Sequence, residues 1–290
     1  MNNNNRKNFF NKNIFRSLGK LPVQIFMIFV AVFWLIPALG LFFQSLRTGP
    51  DIGQSGWWTV FKEVNSLTLE SYIRLLQEPG MLTAFINTFK ITIPTTLFVV
   101  LLGATTGYAL AWISFKGREK IFLVIVGLMI VPTQMAFIPV ARLLNLFGLF
   151  GSITGVIMFH ITFGLPFAVF LLRNFFVGIP KEILESAYVD GAGHFTIFTR
   201  IILPLAMPAI ASLTILQFLW VWNDMLIALI FADPTQAPLT TAIFRQMRNF
   251  SSNVDVIAPG AFLQLLVPLI IFFAFQRYFV QGMLGGAVKN

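Results

Sequence analysis

Six runs of mostly apolar residues, each long enough to cross a hydrocarbon core, constrain this chain more than any other feature of its sequence. A soluble fold would have too little polar material for its surface, because 57% of the 290 residues are hydrophobic and only 11% are charged. In lipid, only helices and closed barrels satisfy the backbone, and these runs lack the alternation of barrel strands. We therefore predict an all-α membrane protein with six transmembrane helices. The predicted spans are residues 21–46, 84–113, 120–142, 151–175, 205–232 and 258–280.

The connections between the predicted spans differ in length. Residues 47–83 and 233–257 form the two longer segments on one side, and residues 174–204 form the long segment on the other side. Proline inside a span removes a backbone donor and predicts a kink that neighbouring helices support. The prolines concerned are Pro37, Pro94, Pro132, Pro139, Pro166, Pro208 and Pro268.

Lysine and arginine are distributed unequally between the two sides. With the N-terminus inside, 13 basic residues lie on the cytoplasmic side and 7 on the outside, which predicts that both termini are cytoplasmic. The predicted organisation is a cytoplasmic tail at 1–20, a six-span domain at 21–280 and a cytoplasmic tail at 281–290. The net charge of +9 does not indicate a nucleic-acid partner, because the basic residues form no extended patch.

The predicted cytoplasmic segment 178–204 is the most informative part of the sequence. Pro180 suits the first turn of a helix, and Glu182 is favourable near the positive end of the helix. Apolar residues follow at helical spacing, Gly191 ends the helix, and a second helical stretch is predicted at 194–202. From periodicity alone, this helix could equally lie on the membrane surface.

The spacing within this segment resembles a known signature. Glu185, Ser186 and Ala187 are followed after three residues by Gly191, and after nine more by a stretch that includes Ile201, Leu203 and Pro204. This pattern is similar to the Glu-Ala-Ala motif of the inner-membrane permeases of binding-protein-dependent ATP-binding-cassette (ABC) importers, with Ser186 as the single departure. Further similarity lies at Phe137-Ile138-Pro139, Gly148-Leu149, Trp222-Asn223-Asp224 and the end from Gln281 to Lys289. These stretches resemble the smaller partner of the maltose-type sugar permeases, and the similarity covers most of the chain from about residue 85.

The resemblance implies a bacterial inner-membrane permease that transports a sugar or sugar-derived solute. Its coupling helix would dock in a cleft of a separate ATPase and transmit closure of the ATPase dimer to the spans. The implied assembly contains a homologous second permease, two ATPase subunits that hold ATP and Mg²⁺, and a periplasmic or lipid-anchored solute-binding protein. No cofactor or metal is expected on this chain, and the sequence lacks the phosphate-binding Gly-x-x-x-x-Gly-Lys pattern.

Polar residues inside the spans are candidates for the solute pathway. Asp224 is the only acid predicted inside a span, and Asn87 lies near the start of the second span. Aromatic rings stack on sugar faces and amide or carboxylate groups bind hydroxyls, so Trp220, Trp222 and Asn223 extend this candidate patch. The alternative is that these polar groups bond to neighbouring helices, and we favour that structural role.

The external loop around residues 249–255 aligns with the loop that reaches into the docked binding protein in maltose-type systems. The candidate contact residues are Asn249, Ser251, Asn253 and Asp255. An ordinary solvent-exposed connector would have the same composition.

Two other classes of transporter remain open at this point. A permease for a non-sugar solute would carry the same signature, because the motif reports coupling and not cargo. An ion-coupled secondary transporter would be expected to place more ionisable residues at mid-membrane than Asp224 alone.

Overall fold

The computed structural model describes residues 21–63, 66–247 and 250–287, and these residues form a helical bundle. The α-helices in chain order are α1 (Leu21–Ser45), α2 (Gly49–Gln54), α3 (Glu70–Gln77), α4 (Met81–Trp112), α5 (Arg118–Leu128), α6 (Phe137–Leu146), α7 (Ile153–Val177), α8 (Lys181–Val189), α9 (His194–Ile197), α10 (Leu203–Leu205), α11 (Met207–Trp222), α12 (Leu226–Phe231), α13 (Leu239–Gln246) and α14 (Phe250–Ala287). Short 3-10 segments lie at Trp57–Phe61, Thr133–Ala136 and Pro234–Gln236, and a π-helical turn lies at Phe198–Ile202.

The predicted all-α membrane fold is confirmed. Within the described residues, four helices are individually long and apolar enough to cross a membrane: α1, α4, α7 and the Asn253–Gln276 part of α14. Two bent helix pairs bring the count to six if each pair is one span.

The kinks predicted from Pro132 and Pro208 are present as sharp bends in the third and fifth spans. The third span bends by 93° between Arg118–Leu128 and Thr133–Leu146, and the fifth bends by 76° between His194–Leu205 and Met207–Trp222. Pro132 and Pro208 lie at or just after these breaks, and a proline cannot supply the backbone hydrogen bond that a straight helix needs there.

The fifth span also ends earlier than the predicted residue 232. Helix α11 stops at Trp222, and α12 begins at Leu226 because the Asp224 carboxylate accepts hydrogen bonds from the backbone N–H groups of Ile227 and Ala228. A carboxylate that caps a new helix start favours a break over continuation of the preceding helix.

The segments predicted as connections also contain helices. Helix α13 and the start of α14 lie within residues 233–257, and α2 and α3 lie within residues 47–83. Arg74 of α3 forms an ion pair with Asp255 of α14, and the buried Arg47 donates to the backbone oxygens of Asp51 and Ser55. These contacts give the outer segments a fixed structure.

Helices α4 and α7 make the most extensive helix–helix contact among the described residues, and small residues bring their backbones together. A Cβ atom added to Gly103 would lie 2.7 Å from the Cβ of Ala168, and one added to Gly107 would lie 3.1 Å from the backbone nitrogen of Arg173. Close approach of small residues is a main source of helix association in lipid, where apolar burial alone provides little driving force.

We therefore predict that Gly103→Ala destabilises the protein by about 1–3 kcal/mol, the usual cost of overpacking a core. The measurement is the thermal unfolding midpoint in detergent. Gly127→Ala is the matched control, because nothing lies within 4 Å of a Cβ added there. The double variant Gly103→Ala/Ala168→Gly should recover the lost stability, and equal loss in the single and double variants would contradict this account of the helix pair.

Candidate functional site

The predicted short helix after the fourth span is present as α8, and its apolar side faces the bundle. Leu184 and Ala187 are buried in a core cluster that includes Leu172 and Phe176 of α7. Glu185 and Ser186 of the motif are exposed on the opposite side. The helix is thus seated by its small and apolar residues while its polar motif residues face outward.

Gly191 ends this helix as predicted, and the reason is its backbone conformation. Its φ angle is +79°, in the left-handed region that residues with a Cβ atom rarely adopt. Its N–H donates to the carbonyl of Tyr188, and the next N–H, of Ala192, donates to the carbonyl of Ala187. No atom lies within 4 Å of a Cβ added at Gly191, so the constraint comes from φ and not from space.

The second half of the segment joins α8 to the fifth span. Ile197, Phe198 and Ile202 are buried in the same cluster as Leu184, whereas Ile201 and Leu203 are half-buried and Pro204 is exposed. The sequence signature therefore did not mark the side chains that contribute most burial. Their spacing of four and five residues across a helical stretch is the signal that could have identified them.

Three exposed apolar side chains surround the turn at Gly191. Val189 is 88% exposed, Phe195 is 80% exposed, and Tyr188 is partly exposed. Charged residues Asp190 and Arg200 lie close by in sequence and are also exposed. Apolar side chains this exposed beside charged residues are typical of a surface that another protein covers.

Three of the fifth-span candidates, Trp222, Asn223 and Asp224, have structural roles, and Trp220 is the exception. Trp222 is fully buried, its Nε1 donates to the backbone oxygen of Gln264 at 3.0 Å, and the Gln264 side chain donates to the backbone oxygen of Trp222 at 2.7 Å. Asn223 donates to the Leu219 carbonyl within its own helix. These bonds fasten α11 to α14 and close the end of α11.

Asp224 is also committed to the fold. Besides capping α12, its carboxylate lies 3.6 Å from Nε2 of the buried His160 on α7, and its backbone oxygen accepts a hydrogen bond from Thr240. The pair places both ionisable side chains away from lipid, as a membrane protein requires.

Asn87 holds a chain segment in place instead of facing an open cavity. Its side-chain amide donates to the backbone oxygens of Thr235 and Ala237, both at 3.4 Å. In the same segment, the Asp233 carboxylate accepts hydrogen bonds from the backbone N–H and the hydroxyl of Thr235, which lowers the pKa of Asp233. The amide therefore satisfies backbone groups where the chain leaves α12.

Trp220 is the predicted pathway residue that does reach a cavity. An open cavity of about 340 Å³ is lined by Met129, Phe163, Gly164, Phe167, Leu216, Gln217 and Trp220. Gln217, which sequence reasoning missed, is 3% exposed, and its amide nitrogen has no hydrogen-bond partner within the described structure. Its position three residues before Trp220, on the same face of an apolar helix, is the signal that could have identified it.

The residues predicted to contact a binding protein are divided in the structure. Asn249 and the side chain of Ser251 lie outside the described residues. Asn253 donates to the Gln246 side chain, and Asp255 is buried and paired with Arg74. Asp255 therefore lies within the packed outer segments and not on a free loop.

Comparison with known proteins places this geometry in a family. The sequence profile of the binding-protein-dependent transport system inner membrane component matches residues 99–285. The chain is 42% identical to the osmoprotective compounds uptake permease protein GgtD of Synechocystis sp. over all of this chain and 96% of that protein. It is 44% identical to the alpha-glucoside transport system permease protein AglG of Rhizobium meliloti over 77% of this chain and 60% of that protein.

A solved structure has the same fold. A chain of a bacterial ABC transporter involved in the import of the acidic polysaccharide alginate superposes with a TM-score of 0.75 at 22% sequence identity, over 91% of this chain and 97% of that one. The six-span bundle, the helix between the fourth and fifth spans and the profile match agree, and the chain is therefore a multi-pass membrane transport protein that belongs to the binding-protein-dependent transport system inner membrane component family.

Proposed function

We propose that this permease imports a sugar or sugar-derived solute, driven by ATP that separate ATPase subunits hydrolyse. The observation that carries the proposal is the exposed apolar surface formed by Tyr188, Val189 and Phe195 around the end of α8. A partner that covers this surface gains apolar burial without any rearrangement of the permease. ATP and Mg²⁺ would be held on that partner.

The seating of α8 suits it to transmit force. The cluster around Leu184 and Ala187 contains residues of α4, α7 and the turn leading to α11. Because packed cores are close to incompressible, a push on α8 is passed to the adjacent ends of α4, α7 and α11. The bend before Met207 is the place where this motion can change the angle of the fifth span.

The cavity beside Gln217 and Trp220 is the proposed solute-contacting surface on this chain. The unpaired amide of Gln217 can bond a sugar hydroxyl, and the ring of Trp220 can cover an apolar sugar face. The names of GgtD and AglG, which refer to osmoprotective compounds and alpha-glucosides, support a sugar-type solute.

The proposed assembly and orientation follow from the same family. A second, homologous permease would complete the pathway, two ATPase subunits would lie on the cytoplasmic side, and a periplasmic or lipid-anchored binding protein would deliver solute. The excess of lysine and arginine on the side of residues 178–204 supports cytoplasmic termini. The protein would therefore lie in the bacterial inner membrane.

Phe195→Ser should weaken association with the ATPase subunits by about 30-fold, because a buried interface aromatic contributes about 2 kcal/mol or more. After purification of the complex from native membranes, we would measure the amount of ATPase subunit that co-purifies with the permease and the rate of ATP hydrolysis per permease. Ile73→Ser on α3 is the control, since Ile73 is also an exposed helical apolar residue but lies far from α8 in the chain. Unchanged retention in Phe195→Ser would count against this docking surface.

Gly191→Val should abolish transport while membrane insertion persists, because a β-branched residue with positive φ would distort the turn after α8. Gly193→Val is the matched control. It also lacks atoms within 4 Å of an added Cβ, but its φ is −79°. Gly191→Asn should retain more uptake than Gly191→Val, and full uptake by Gly191→Val would contradict the role of this turn.

Gln217→Leu should raise the KM for the transported sugar about 2- to 10-fold, the effect of one lost hydrogen bond, and leave ATPase association unchanged. Uptake by the reconstituted complex would be compared for maltose and trehalose, both alpha-glucosides, and for glycine betaine as a non-sugar osmolyte. Thr162→Val on α7 is the control, because its hydroxyl bonds only to its own helix. Transport of glycine betaine and neither sugar would favour the non-sugar alternative.

A further inference from the structure

Three side chains from different elements meet at one ring nitrogen beside the coupling helix α8. The Tyr108 hydroxyl lies 3.1 Å from Nδ1 of His194, and the Tyr188 hydroxyl lies 3.0 Å from the same nitrogen. Tyr188 belongs to the last turn of α8, His194 is the first residue of α9, and Tyr108 lies near the end of α4. The three residues therefore bridge the coupling helix and the second span.

Burial does not force this arrangement. Tyr188 and His194 are both exposed, so water could satisfy their polar atoms. Tyr108 is the fixed end of the bridge, because it is buried and its ring contacts Phe198 at 5.0 Å. Hydrogen bonds from Tyr188 and His194 toward the buried Tyr108 constrain the position of α8 relative to α4. The non-directional apolar contacts of Leu184 and Ala187 do not constrain it in this way.

In either neutral tautomer, Nδ1 of His194 offers one lone pair or one proton, which the two tyrosine hydroxyls share. With the proton on Nε2, Nδ1 accepts a hydrogen bond from a tyrosine hydroxyl. With the proton on Nδ1, that N–H donates to a tyrosine oxygen. The rings of both tyrosines also lie edge-on to the imidazole, at 6.2 Å for Tyr108 and 5.6 Å for Tyr188.

We propose that His194 is a positioning residue that fastens α8 to α4 through Tyr188 and Tyr108, so that the second span moves with the coupling helix. This inference rests on the proposed function of α8 as the helix that the ATPase displaces. Apolar contacts between α8 and the bundle permit sliding and rotation, whereas directional hydrogen bonds resist both. The bridge adds a direct connection to α4, beside the covalent connections of α8 to α7 and toward α11.

The experiment measures the distance between α8 and α4 in the full complex. The chain contains no cysteine, so spin labels can be attached at Lys181→Cys and Thr105→Cys, both at exposed positions, without other changes to this subunit. Distances are recorded in the nucleotide-free and vanadate-trapped states. The wild-type side chains at 108, 188 and 194 should give one distance population that is shared by both states.

His194→Leu and His194→Asn form the critical pair. Leucine has nearly the same shape as asparagine but places a carbon where histidine has Nδ1, whereas asparagine places an oxygen or nitrogen there. His194→Leu should add a longer distance population and lower the ratio of bridged to unbridged molecules about 2- to 10-fold, the factor for one net hydrogen bond. His194→Asn should restore the wild-type distances.

Two further variants separate the bridge from simple packing. Tyr188→Phe and Tyr108→Phe keep the rings and remove the hydroxyls, and each should reproduce part of the His194→Leu change. When either tyrosine variant is combined with His194→Leu, the longer distance population should not increase further. The effects of residues that act through one shared bond are not additive.

Wild-type distances in His194→Leu, or loss of the wild-type pattern in His194→Asn, would overturn the proposal. The nucleotide-free state alone decides this, because the proposed bridge joins residues of this subunit only. A permease that binds no ATPase would instead contradict the proposed function, and the two failures remain distinguishable.

Discussion

Backbone groups at helix breaks inside a membrane must find partners within the protein, and the rest of this structure depends on how that need is met. Asp224 supplies acceptors for the first N–H groups of α12, and Thr88 accepts from the N–H of Leu239 at the start of α13. Gln236 accepts from the N–H of Ile153 at the start of α7. Polar side chains therefore satisfy the backbone N–H groups at several helix starts, and these breaks give the bundle its shape.

The two ends of the bundle are held together by different forces. Around α8, the contacts are mainly apolar, with Leu184 and Ala187 seated among residues of α4, α7 and α9. At the opposite end, an apolar cluster that includes Leu75, Leu239 and Val256 is supplemented by hydrogen bonds and by the ion pair between Arg74 and Asp255. The close-packed cluster at α8 passes displacement of this helix to the spans, and the contacts at the opposite end hold the outer segments in place.

Residue type alone does not separate solute-contacting residues from structural ones among the polar candidates. Trp222 and Asn87 have the chemistry to bind a sugar, yet each bonds to backbone groups of a neighbouring segment. Trp220, two residues from Trp222, lines an open cavity with Gln217. Neighbouring positions on a helix point in different directions, so their roles depend on which helix lies opposite.

The sequence by itself determined the solvent, the helical class, the approximate spans and the turn at Gly191. These follow from local rules: lipid requires closed backbone hydrogen bonding, and a left-handed turn favours glycine. Only the tertiary structure decided how sharply the third and fifth spans bend, that the fifth span ends at Trp222, and that Tyr108, Tyr188 and His194 meet. Those features join residues as many as 86 positions apart, and a contact at that separation is set by how the helices pack, which no local pattern specifies.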